Sequence, residues 1–433
     1  MFARRTAWDL TPTELAERVA CRRAEGRLVV DGVDTNPGRC GILRPGEILR
    51  EGLDRLARDP RALRYEPDPR GDLDVREALA GLYADTGRSL GADRSILTAG
   101  TSEAYAHLFR LLADPGDRIH LPSPGYGLFA HLAELEGLEV ASYPLREPGP
   151  GRGARWRLDL DALAADLDER SRVIVTIDPH NPTGSFVDPA DLASLASIAE
   201  ERGLALITDE VFTDYATEGH ARPGPSELGD AGPLRFVLSG ASKVLGLPQI
   251  KVAWIGVEGP PALRNDALAR LEFVADAFLS VSPLAASLMP FLLAHRDEIQ
   301  TEIRARLSAN RAALAGRVAA WEGVELLPAE AGWHAILRVR RPAPAAPDRP
   351  RSLDEEAFVL ALLDRTGVLV HPGGLYDLEP RDRSGRPCEH LVLSLLIEPD
   401  RLSRVADGLE PLLAETSAGL DAPSLRASDE PSV

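Results

Sequence analysis

Between Pro45 and Pro290 the chain alternates helical patterns with short, largely apolar runs: Ser95–Thr98, Arg118–Leu121, Val140–Tyr143, Val173–Ile177, Leu204–Thr208, Arg235–Leu238 and Val252–Ile255. Strand-length segments without a polar face must be covered on both sides, and the helical stretches between them are long enough to cross over a sheet. This pattern implies a mostly parallel sheet between two helical layers, an α/β architecture. Ligands of such sheets bind beyond the carboxyl ends of the strands, so the residues that follow each run carry the functional information.

The flanking regions read differently. Residues 1–45 combine a short amphipathic helix at Thr13–Arg23, a strand-like Arg27–Val30 and a turn-rich Asp34–Gly41, an arm that contributes to a small domain. The large α/β domain is expected over 46–290. A long charged helical stretch, Pro290–Ala319, then leads into a small α+β domain over 291–415. Its strands are expected at Val324–Leu327, Ala335–Val339, Gly367–Val370 and Leu391–Leu396, and its helices at Glu355–Asp364 and Asp400–Leu413. Pro342–Pro350 reads as a stiff exposed loop, and 416–433 as a disordered polar tail.

Composition excludes several functions. A net charge of −18 repels phosphate backbones and anionic lipid, so neither nucleic acid nor a membrane is an expected partner. No run approaches the roughly 18 apolar residues of a membrane span, and the first residues lack the apolar core of a signal peptide, which points to the cytoplasm. Cys21, Cys40 and Cys388 are three in number and far apart, the pattern of free thiols rather than of a zinc site or a disulfide framework. No metal is expected.

Of 49 basic residues only two are lysines, Lys243 and Lys251. Arginine keeps its proton in any protein environment, whereas a lysine can lose it and attack a carbonyl to form a Schiff base. Lys243 follows the Arg235–Leu238 run within Ser239-Gly-Ala-Ser-Lys243, so an amine stands at a strand end. Three other strand ends supply complementary chemistry. Gly100-Thr101-Ser102 opens a helix whose free N–H groups and hydroxyls suit a phosphate, although simple capping explains the same residues. Asn181, in Asp178-Pro-His-Asn-Pro-Thr-Gly184, offers an amide from a loop that is otherwise an ordinary turn. Asp209 places a carboxylate at the end of a buried strand, where it needs a cationic partner such as a protonated ring nitrogen. An amine for an aldehyde, a carboxylate for a pyridinium and a phosphate cradle are the parts that pyridoxal 5'-phosphate needs.

With these motifs in order, namely Tyr65 with Gly71, Gly100-Thr-Ser102, Pro124-Gly-Tyr126, Asn181-Pro-Thr-Gly184, Asp209-Glu210 and Ser242-Lys243 followed by Gly246-Leu-Pro248, the chain resembles the fold-type I pyridoxal-phosphate enzymes of the class I/II aminotransferase group. The resemblance spans about Arg27 to Leu413 and implies their fold, a three-layer large domain with a small α+β domain. It implies Lys243 as Schiff-base lysine and proton shuttle, Asp209 as partner of the pyridine nitrogen, Asn181 on the ring hydroxyl and Tyr126 stacked on the ring. Gly100, Thr101, Ser102, Ser239 and Lys251 would surround the phosphate. Tyr65 would reach the phosphate of a neighbouring subunit, which implies a homodimer with shared active sites.

Three departures bear on the reaction. Phe212 stands where the group usually has a tyrosine that hydrogen-bonds the ring oxygen, with Tyr215 nearby as a candidate replacement. Lys251 stands where an arginine is usual. Val392, in His390-Leu-Val-Leu-Ser394, occupies the position of the arginine that normally clamps the substrate carboxylate. Either Arg39 replaces that clamp, ahead of Arg338 and Arg340, or the substrate offers no ordinary α-carboxylate at that point; His371 and Trp333 are further pocket candidates, with a packed core role equally open to Trp333. The leading reading is an aminotransferase acting between an amino acid or amine and a keto or aldehyde acceptor. The alternatives are a lyase or decarboxylating deaminase acting on an amino-acid moiety of a larger specialised metabolite, and a non-enzymatic binding protein, against which the survival of Lys243 argues.

Overall fold

The computed structural model describes residues 1–148, 155–221, 230–279, 281–340, 355–382 and 384–417. The Pro342–Pro350 loop and nearly all of the expected tail lie outside these residues.

Every apolar run between Ser95 and Glu258 forms a strand of one eight-stranded sheet. From one edge to the other the order is Ser95–Thr98, Ala253–Glu258, Arg235–Gly240, Ala205–Asp209, Ser171–Ile177, Arg118–Ser123, Glu139–Arg146 and the short Arg157–Leu158. Pairing is parallel from Arg235–Gly240 through to Glu139–Arg146. Ala253–Glu258 is inserted antiparallel between Ser95–Thr98 and Arg235–Gly240. Two antiparallel pairings restore direction, so Ser95–Thr98 points the same way as the parallel strands.

Alternation along each strand explains why these runs carry no polar face. Val173, Val175 and Ile177 pack with Ile207 and Phe236 under the helices Thr101–Leu112, Leu128–Leu135 and Pro261–Phe278. Ile174 and Leu206 face the other way, toward Leu163 of Leu160–Asp166 and Leu195 and Ala199 of Pro189–Arg202. Both faces are dry, as a parallel sheet between two helical layers requires. The result is the three-layer α/β/α arrangement that the alternation implies.

The C-terminal part holds a second, antiparallel sheet in the order Val324–Leu326, His334–Arg340, Cys388–Ser394, His371–Pro372. The expected strand at Gly367–Val370 is divided: Val368–Leu369 pairs in parallel with Val30–Asp31, while His371–Pro372 joins the antiparallel sheet. The N-terminal helix Glu14–Ala24, capped by the Thr13 hydroxyl accepting from the Ala16 N–H at 3.2 Å, packs on the helix Glu355–Thr366. The long helical stretch is two helices, Pro283–Ala294 and Arg296–Val318, and Pro290 lies inside the first. Among the described residues no helix is long and apolar enough to cross a membrane.

Candidate active site

The strands ending at Thr98, Ile177, Asp209 and Gly240 point the same way, so the loops that follow them converge. They line a pocket of about 280 Å³ together with a second set of residues from the N-terminal arm and the C-terminal sheet. Thr101, Ser102, Asn181, Asp209, Phe212 and Lys243 all reach it. Tyr126 forms part of its wall and is 46% exposed.

Lys243 sits in the four-residue helix Ala241–Val244 that follows its strand. Its Nζ lies 4.7 Å from the centroid of the Trp333 ring and 5.2 Å from that of Phe212. Burial among these rings penalises the ammonium and pulls its pKa down to about 8, against the opposing pull of the Asp209 charge. Asp209 is only 4% exposed. Burial pushes its pKa up to about 6 and the neighbouring Glu210 adds to the rise, while the Val211 N–H (3.1 Å), the Tyr105 hydroxyl (3.2 Å) and Lys243 oppose it. The pocket thus holds a carboxylate short of positive charge and an amine that releases its proton readily, both favourable to a ligand that is cationic at one end and electrophilic at the other.

Two further observations test the fit of a phosphorylated pyridine aldehyde. The buried Asn181 amide oxygen has no hydrogen-bond partner among the described residues. At the opposite end Gly100, at φ +150°, caps the helix Thr101–Leu112, and a Cβ built on it would stand 3.0 Å from the Lys251 Nζ. Glycine therefore leaves space between the helix N-terminus and a lysine ammonium, where an anion is stabilised by free N–H groups and a point charge. The residues present fit the cofactor. Among the described residues no cluster of His, Cys, Asp and Glu could hold a metal ion.

Several sequence expectations are placed elsewhere. Ser239 is 3% exposed and lines a separate cavity of about 250 Å³ beside Arg88 and Trp254. Strand alternation is the reason: Ser239 pairs opposite Trp254, and Ser242, past the end of the strand, is the serine that reaches the pocket. Arg39 ends the turn Pro37–Cys40 and pairs with Asp34 at 2.9 Å and Asp31 at 3.7 Å, outside the pocket wall, to which the same loop sends Val33 and Thr35. Trp333 is fully buried behind Lys243, edge-on to Phe212 and Tyr215, so it packs the amine rather than lining the pocket. Tyr215 does not replace the missing phenol, because its hydroxyl donates to the Lys243 carbonyl at 2.5 Å. Arg338 is paired with Glu147 and Glu325. Tyr65 is 68% exposed and does not line this pocket.

Val392 is 1% exposed, paired with Ile336 and His371 and packed among Ile174, Tyr376 and Leu378. No arginine lines the pocket among the described residues. Its far end is instead formed by His334, His371 and Tyr376, with the His371 Nδ1 and the Tyr376 hydroxyl 3.0 Å apart. Burial pulls His334 down to about 3, helped by the Lys243 and His371 charges, and lowers His371 against the pull of Asp31. Both imidazoles are neutral near pH 7. Val33, Thr35 and His334 line the pocket without having been singled out in the sequence, His334 standing beside Trp333, and Ser242, part of the Ser242-Lys243 motif, had no role assigned to it.

The family model for class I and II aminotransferases matches residues 39–388. Capreomycidine synthase of Streptomyces vinaceus is 31% identical over 293 residues, 67% of this chain and 69% of that protein. An LL-diaminopimelate aminotransferase of Dehalococcoides mccartyi is 27% identical, covering 84% of this chain and 87% of that protein. In fold, the chain is similar to an alanine aminotransferase of Pyrococcus furiosus, with a TM-score of 0.82 at 20% identity over 96% of this chain and all of that one.

Proposed function

The chain is an aminotransferase of the class I and II family, and we propose that it uses pyridoxal 5'-phosphate, held by Lys243, to move an amino group between an amino acid or amine and a keto or aldehyde acceptor. The observation that carries this reading is the pairing of a buried Lys243 whose pKa is drawn down to about 8 with a buried Asp209 whose pKa is drawn up to about 6 on one pocket wall.

When bound, the cofactor supplies an aldehyde to capture amines and a ring that accepts the electrons released from the substrate carbon. The protein's own residues do the rest. Asp209 sits where a ring nitrogen would need a counter-charge, and the Tyr105 and Val211 hydrogen bonds fix its orientation. Asn181 lines the pocket, where its amide N–H would donate to the ring oxygen. Gly100, Thr101, Ser102, Ser242 and Lys251 form the phosphate end. Tyr126 would cover the ring face, and Phe212 fills the position where a phenol would otherwise donate to the ring oxygen. Lys243 would hold the cofactor through its Nζ and, once free, would take up and return the substrate α-proton at that atom. Its low pKa keeps a useful fraction in the free-base form near neutrality, and Trp333 and Phe212 keep water from the proton it carries.

The exposed Tyr65 is available to a second copy of the chain, which supports a homodimer with shared sites. A second reading, elimination or decarboxylating deamination, is favoured by one observation: the buried Val392 removes the usual carboxylate clamp. Incubation with amino acids in deuterated water tests the central role. The α-proton of a good donor exchanges with solvent, and Lys243→Ala abolishes the exchange while the protein stays folded. Undiminished exchange in that variant would overturn the assignment.

A further inference from the structure

Behind Lys243, on the far side of Tyr215 and Trp333, lies an open cleft of about 540 Å³ between the helix Arg296–Val318 and the segments 215–220 and 326–332. It shares no lining residue with the pocket described above. Arg304 and Arg311 stand on one face of the helix, seven residues and roughly 10 Å apart along its axis, and both line the cleft.

Arginines withdrawn from solvent elsewhere in the chain are satisfied in one of two ways: Arg22 and Arg306 each donate to two backbone carbonyls, and others meet a carboxylate. Arg88, Arg235 and Arg338 each pair with a glutamate. Arg311 donates to the His334 carbonyl at 3.3 Å and makes no ion pair with a described residue. Burial alone acts on it, drawing its pKa down to about 10. Arg304 donates to the Gln300 side-chain oxygen at 3.0 Å and likewise has no carboxylate partner among the described residues. A guanidinium is a planar fork of five donors, and desolvating one without an anion is unfavourable. The remaining walls are contributed by Leu307, Leu326, Leu327 and Pro328. Of the two acids present, Glu330 is engaged by Arg155 at 3.0 Å and by the Phe186 N–H at 3.1 Å, and Glu218 is exposed.

We propose that this cleft is a second ligand site, one that binds a small monocarboxylate with an apolar body, its carboxylate on Arg311 and Arg304 and its hydrocarbon part against Leu307, Leu326 and Pro328. A planar carboxylate matches the guanidinium fork in two parallel hydrogen bonds. A compact, doubly charged phosphate would gain nothing from the aliphatic walls and would be repelled by Glu218 and Glu330. The site adjoins the backbone that carries the reacting lysine, since Tyr215 lines it and its hydroxyl donates to the Lys243 carbonyl.

Calorimetric titration of the cofactor-loaded enzyme with hexanoate, and separately with inorganic phosphate, tests the proposal. Hexanoate is expected to bind saturably and phosphate not to. Arg311→Gln should weaken hexanoate by about tenfold or more and Arg304→Gln by a smaller factor, as expected for charge-assisted hydrogen bonds, with the cofactor absorbance unchanged in both. If Arg311→Gln does not fold, Arg311→Lys, which keeps the charge and loses the fork, should weaken binding by a few-fold. Absence of saturable hexanoate binding, affinity equal in wild type and in the Arg304 and Arg311 variants, or a preference for phosphate would overturn it.

Discussion

The two ends of the Lys243 pocket are built on different principles. The cofactor end is assembled from the ends of four strands that run the same way in one sheet, and each contributes a group whose chemistry is specific: an amine, a carboxylate, an amide and a helix N-terminus. The substrate end is assembled from the N-terminal arm and the C-terminal sheet, through Val33, Thr35, His334, His371 and Tyr376, and carries no charge at neutral pH. A rigid scaffold fixes the reaction, while separate segments set what is admitted. Chemistry can thus be kept while recognition changes, in keeping with the proposed loss of a clamping arginine at the buried Val392.

The comparison can be broken most forcefully at Lys243. Lys243→Ala should lower turnover by about four orders of magnitude or more, since it removes both the covalent anchor and the general base, and steady-state kinetics with cofactor absorbance would show it. Next is Val392→Arg. The position is filled on all sides, so an arginine there should cost about 3–5 kcal/mol of stability, as an uncompensated buried charge does, and should not create a carboxylate clamp. A melt of the variant together with assays on simple α-amino acids checks both parts.

Asp209→Asn separates catalysis from stability. Turnover should fall about a hundredfold or more with loss of the counter-charge. The sign for stability is opposite. Asp209 in the fold has a pKa raised to about 6 from 3.8, so the native state holds a proton that the unfolded chain has released, and stability contributed by this group is lost as pH rises through that window. Above it, the cofactor-free variant should be more stable than wild type by up to about 3 kcal/mol, as denaturant melts at pH 8 would read. The Lys243 shift predicts the pH course of cofactor capture by the empty protein: the rate follows the free-amine fraction, half-maximal near pH 8 and levelling only above it, a course that stopped-flow absorbance would follow.

Smaller effects sharpen the contrast between the ends. His371→Phe should change kcat/KM among amino donors by about tenfold, the scale of one hydrogen bond at a desolvated site, without altering cofactor affinity. Ser239→Ala should leave cofactor affinity within about twofold, whereas Ser242→Ala should weaken it by several-fold, measured by equilibrium titration of the empty protein.

The same contrast explains what the sequence made legible. Strand-end motifs such as Asn181-Pro-Thr-Gly184 and Ser242-Lys243 are local, and a local segment carries its own chemistry wherever the sheet places it. Ser239 was misplaced because the choice between it and Ser242 depends on where the strand ends and which way its last residue points. The antiparallel insertion of Ala253–Glu258 was not readable, since a strand buried on both faces has the same apolar pattern in either direction. The substrate end was least legible. Pairing of His371 opposite Val392, and the outward turn that gives Arg39 to Asp34 and Asp31, follow from register and loop geometry that no local motif fixes, and the arm is brought to this end by the long-range pairing of Val30–Asp31 with Val368–Leu369.

A single-turnover experiment tests the central claim most directly: cofactor-loaded enzyme is mixed with a donor amino acid and no acceptor, and products are followed with time. An aminotransferase built on Lys243 releases one equivalent of keto acid per active site and stops until an acceptor is added. Continued release of keto acid, ammonia or carbon dioxide without an acceptor would contradict that account and establish elimination or decarboxylation instead.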